Sequence, residues 1–95
     1  MRGVDLAIYA DALAGEAASI AARAERARSR LRQAAIEKRA RADLTHSVIG
    51  RLEALGLLNG VDQVAVRREL RELDAALEAV EVLQAWVEQQ LASYG

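Results

Sequence analysis

Ninety-five residues with a formal net charge of −1 leave room for one domain. Hydrophobic residues make up 53% of the chain, yet Phe is absent, Trp occurs once and Tyr twice, which excludes a thick globular core and favours an elongated helical assembly. Proline and cysteine are both absent, so the strongest helix breaker is missing and disulfides and thiolate metal sites are ruled out.

Ala, Leu, Arg, Glu and Gln dominate, all good helix formers, and no β-branched run alternates with period two. The expected class is all-α. Asp5 and Asp11 interrupt the N-terminal segment, which makes it a poor signal peptide, and no apolar run approaches the ~20 residues of a membrane span. A cytoplasmic location without membrane contact is the expectation, and no cofactor is implied.

The first predicted element runs from about Val4 to Leu57 as one long helix. A single heptad register holds throughout it. One row is Leu6, Leu13, Ile20, Ala27, Ala34, Arg41, Val48 and Leu55; the other is Ala10, Ala17, Ala24, Leu31, Lys38, Thr45 and Leu52. Gly15 and Gly50 are the candidate break points, each about 1 kcal/mol worse than alanine. Residues 58–61 form the turn, in which Gly60, or Gly56 just before it, can take the left-handed conformation.

The second predicted helix runs from about 62 to 94, with Asp62 as N-cap. Its rows are Val66, Leu73, Val80, Val87 and Tyr94, and Leu70, Leu77, Gln84 and Leu91. A short turn predicts an antiparallel hairpin, a single domain over 1–95. Leu55 then faces Val66, Val48 faces Leu73, Ala34 faces Val87, Ala27 faces Tyr94 and Leu52 faces Leu70. Lys38 opposite Gln84 forms a polar layer. The basic stretch 32–41 lies beside Glu78, Glu81 and Glu88.

This alignment leaves Val4 to Glu25 without a partner in its own chain. Paired antiparallel with a second copy about Gly15, Leu6 meets Ala24, Ala10 meets Ile20 and Leu13 meets Ala17, large against small at every layer. Leu6, Ala10, Leu13, Gly15, Ala17, Ile20 and Ala24 are therefore the expected homodimer interface, building a helical bundle. The alternative is a three-helix bundle with a break near Gly15 that folds residues 4–14 back.

A second row on the later helix, Ala75, Ala79, Val82 and Trp86, with Leu83 between it and the main row, makes an apolar shoulder. It suits a dimer mate or an amphipathic helix of another protein. Residues 23–41 hold eight basic side chains against Glu25 and Glu37, while 43–95 hold four basic and nine acidic. Arg23, Arg26, Arg28 and Arg30 extend past the acidic helix, which gives a weaker reading as a nucleic-acid contact without aromatic support.

His46 is the only histidine, with Val48 at +2, Gly50 at +4, Leu55 at +9 and Gly56 at +10. This pattern resembles that of the phosphorelay histidine-phosphotransfer family, whose motif carries a lysine at +3 where this chain has Ile49. The resemblance implies phosphoryl transfer through an exposed His46, with the first glycine clearing space for a receiver domain. No catalytic set is evident otherwise: Ser19, Ser29, Ser47 and Ser93 lack a histidine-plus-carboxylate pattern, and one histidine without cysteine argues against zinc. The expected function is a non-enzymatic helical oligomerisation and protein-interaction module, an adaptor or assembly component.

Overall fold

The structure, a computed structural model, describes residues 2–94 and is all-helical among them. It contains α1 (Gly3–Asp43), α2 (His46–Ala54) and α3 (Gln63–Tyr94), and α1 and α3 pack together. Two compact units emerge. One combines the chain up to Glu25 with the chain from Arg71 onward, and the other is Arg26–Leu70.

The expected first helix is not continuous to Leu57. It stops at Asp43, and Thr45 adopts extended backbone (φ −74°, ψ 155°) and caps α2. Its hydroxyl accepts from the Val48 N–H at 3.4 Å, and its carbonyl accepts from the Ile49 N–H at 3.0 Å. Thr is a favoured N-cap because its side chain satisfies a first-turn donor that has no helical partner. Arg41 in the last turn of α1 suits the negative end of that helix. The alternative of a break near Gly15 is also overturned, since α1 runs helical through Gly15.

The connector from α2 to α3 is longer than the expected turn. Leu57 N–H donates to the Leu52 carbonyl at 2.9 Å and Gly56 N–H to the Glu53 carbonyl at 3.0 Å, the paired bonds of a Schellman ending. Gly56 (φ 73°) and Gly60 (φ 65°) both take the left-handed conformation, as their positions suggested. Asp62 caps α3 as expected: its Oδ1 accepts from the Ala65 N–H at 3.1 Å.

In the first unit Leu6, Leu13 and Val87 form a buried cluster, with Ala10, Val80, Leu83 and Leu91 packed against it. A Cβ placed on Gly3 would lie 3.8 Å from the Tyr94 ring, so the start of α1 is beside the end of α3. This overturns the expected facing pairs. Val87 packs with Leu6 rather than Ala34, and Tyr94 lies by Gly3 rather than Ala27, a slide of more than three heptads along α1. The rows keep their faces because a heptad pattern fixes alignment only to within a multiple of seven residues.

The slide follows from what each alignment buries. The expected one covers Val48 and Leu55, both exposed here, and leaves Leu6, Leu13 and Ile20 in water. The observed one buries those three and, once α2 separates from α1, Ile49 and Leu58 as well. Each large aliphatic side chain removed from water contributes roughly 1.5–3 kcal/mol, so the second set wins. The premise of the Gly15-centred dimer thereby falls: Leu6, Leu13, Ile20 and Ala24 are buried within one chain, Ala10 and Ala17 are half-buried, and only Gly15 is exposed.

In the second unit the core is Ala27, Ala34, Ile49, Leu58 and Val66. Lys38 is exposed rather than part of a buried polar layer with Gln84, and its neighbour Glu37 is the buried charged residue instead. The observed alignment predicts that Leu6→Ala costs about 2–5 kcal/mol and Leu55→Ala stays within about 0.5 kcal/mol of wild type. Urea denaturation of the two variants checks this, and the reverse ranking would restore the unslid pairing.

Candidate functional site

Two features of the surface could recognise something. The first is the shoulder on α3. Four of its five predicted residues, Ala75, Ala79, Val82 and Trp86, are exposed, Val82 at 67% and Trp86 at 44%. They recur at the i, i+4, i+7, i+11 spacing of one helix face, roughly a third of a turn from the side that meets α1. Leu83 departs from the expectation: it is half-buried and packs on the Leu6–Leu13–Val87 cluster, so it belongs to the core edge. The exposure of these four follows from helical periodicity, which sets them on the far side of a stripe already filled by α1.

The second feature lies in the other unit, around Glu37. Glu37 is only 5% exposed, and its Oε1 accepts from the backbone N–H of Asn59 at 3.1 Å. A buried carboxylate is costly unless hydrogen-bonded, and this bond ties the α2–α3 connector to the side of α1. Beside it an open recess of about 210 Å³ is lined by Ala34, Glu37, Lys38, Arg41, Gly60, Val61 and Gln63. Sequence reasoning missed Glu37 altogether. It lies between the apolar rows, and its partner is a backbone group, which no side-chain pattern reveals.

The arginine-rich block is substantially engaged by the protein itself. Arg30 Nη2 meets Glu69 Oε2 at 2.7 Å, and Arg41 Nη1 meets Glu53 Oε1 at 3.3 Å. Arg28 and Arg32 have partners too. Glu53 and Glu69 thus pair with this block, while the expected Glu78, Glu81 and Glu88 belong to the other compact unit. Such half-exposed pairs contribute at most about 1 kcal/mol each, but they lower the positive field available to a phosphate.

His46 is exposed at the first position of α2. Ile49, which occupies the place of the phosphotransfer motif's lysine, is buried, while Val48 is 43% exposed. Nothing approaches within 4 Å of a Cβ placed on Gly50. Among the described residues no group of three His, Cys, Asp or Glu side chains is placed to hold a metal ion, and no helix is long and apolar enough to cross a membrane.

Comparison with known proteins finds no matching family model, no similar curated protein and no similar solved structure.

The Asn59–Glu37 bond predicts that Glu37→Ala destabilises the fold by about 1–2 kcal/mol. Glu37→Gln keeps an acceptor oxygen at the same reach and should recover most of that loss. Amide exchange at Asn59, followed by NMR, should quicken in the alanine variant and stay near wild type in the glutamine variant; equal rates in all three would detach the connector from this carboxylate.

Proposed function

We propose that the chain is a helical protein-interaction module, an adaptor or assembly component, whose contact surface is the exposed α3 row of Ala75, Ala79, Val82 and Trp86. The observation that carries this reading is Trp86. A tryptophan offers the largest apolar surface of any side chain and is enriched among the residues that dominate binding energies. Here it stays 44% exposed on a helix whose other face is already filled. Two small residues, Ala75 and Ala79, flatten the surface next to it, which lets a partner helix approach closely.

Phosphotransfer through His46 has less support. The exposure of the imidazole suits it, but the buried Ile49 offers no cation beside a phosphorylated ring. Phosphate or nucleic-acid contact through residues 23–41 is weakened by the ion pairs of Arg30 and Arg41. No catalytic role is proposed.

The reading is tested by placing a photo-reactive benzoylphenylalanine at position 86 of the full chain in cells, with position 11, exposed on α1, as control. Adducts are expected from position 86 and not from 11, and Ala79→Lys should remove them by setting a charge inside the contact. A position-86 chain that gives no more adduct than the control overturns the interaction surface.

A further inference from the structure

Asn59 is the only asparagine in the chain, and a glycine follows it directly. Both residues are exposed in the α2–α3 connector, outside any helix. We infer that this pair is a site of spontaneous self-modification, in which the Gly60 backbone nitrogen displaces ammonia from the Asn59 side chain and the chain is left with aspartate or isoaspartate at position 59. The inference stands on different residues from the α3 row and does not depend on that row's role.

Ring closure needs a free carboxamide, a free N–H on the next residue, and room for the two to meet. Among the described residues no hydrogen bond engages the Asn59 side chain or the Gly60 N–H. In a helix that N–H would be tied to the carbonyl four residues back. Nothing lies within 4 Å of a Cβ placed on Gly60, so the space over the attacking nitrogen is open. Glycine also brings no side chain of its own to crowd it, and its φ of 65° is a conformation that favours glycine here. The fold therefore keeps the reactive pair together: the turn asks for the residue that makes its neighbour labile.

The Gly60 nitrogen gives up its proton and attacks Asn59 Cγ. The new N–Cγ bond forms, the Cγ–Nδ2 bond breaks, and the amide nitrogen leaves as ammonia with the proton made up. A five-membered succinimide remains. Water then opens it. Attack at Cγ restores the normal main chain with an aspartate; attack at the main-chain carbonyl carbon leaves isoaspartate. Water is the only co-reactant.

The isoaspartate form routes the main chain through Cβ and Cγ and so lengthens the connector by a methylene. The connector is held on both sides of the change. Leu58 is buried, the Asn59 N–H is bonded to Glu37 at 3.1 Å, and Asp62 caps α3. Only Gly60 and Val61 lie between, on the wall of the open recess. Either product also adds a negative charge to the residue whose amide holds the Glu37 carboxylate. Modification thus loosens the tie between α1 and the connector.

The purified full-length chain is incubated at physiological pH and temperature in heavy-oxygen water, then digested and fragmented in a mass spectrometer so that isoaspartate is told from aspartate. Asn59 should take up the oxygen label and yield both products, while the glutamines stay unchanged. Asn59→Gln should abolish the reaction, since a longer side chain cannot close the five-membered ring, and its backbone tie to Glu37 is retained. Gly60→Ala should slow it at least about tenfold by crowding the nitrogen. Amide exchange at residue 59 should be at least about tenfold faster in the isolated isoaspartate form than in the fresh chain.

An Asn59 that stays unlabelled while a free peptide of residues 57–61 converts overturns the site. Aspartate formed without any isoaspartate, or an undiminished rate in Gly60→Ala, overturns attack by the Gly60 nitrogen. Unchanged exchange at residue 59 overturns the loosening of the connector.

Discussion

The seam between α1 and α3 is one side chain deep, and the fold depends on it. In the first unit its main cluster is Leu6, Leu13 and Val87 with four half-buried neighbours; in the second, alanines at 27 and 34 stand in for larger residues. Ordering each residue's backbone costs about 1–2 kcal/mol, so a layer this thin leaves little margin and must bury as many of the large aliphatic side chains as the chain's connectivity allows, even with Val48 and Leu55 exposed. That requirement accounts for the separation of α2 from α1. A single long helix would strand Leu6, Leu13 and Ile20, whereas a cap at Thr45 frees the following nine-residue helix to place Ile49 in the core.

The helical class, the apolar rows on both long helices, the Asp62 cap and the left-handed glycines could all be read from the chain, because each is decided locally by periodicity or backbone preference. Alignment could not. Leu6 and Ala34 occupy the same place in the repeat, and only the total buried by the whole chain decides which of them meets Val87. Thr45 was legible in principle as a cap, but within a seven-residue pattern it read as a blemish. At the candidate site, Ala75, Ala79, Val82 and Trp86 stood out because they had no work to do inside the helix pair. Leu83 was misread because it sits at the border of two faces, and Glu37 because its role is defined by a loop amide.

Core and surface divide the labour on α3. The face toward α1 carries branched aliphatics of similar size, which pack in any consistent order. The open face carries one indole, one valine and two alanines, all exposed. Packing inside the chain therefore asks for apolar character at the filled face and sets no demand on the open one. In the basic block Arg30 and Arg41 pair at the surface with carboxylates of their own chain.

The contact between Glu37 and the Asn59 amide has a consequence for how the chain finds its fold. A periodic seam of small residues resembles a toothed rack, and neighbouring notches one heptad apart differ by only a few methyl groups. Packing alone would let such racks engage out of step. The carboxylate–amide bond has no counterpart a heptad away, where residues 30 and 44 are Arg and Leu. It acts as a detent, a single polar stop that favours one of a family of nearly equal engagements, and it does so at the connector that leads into α3.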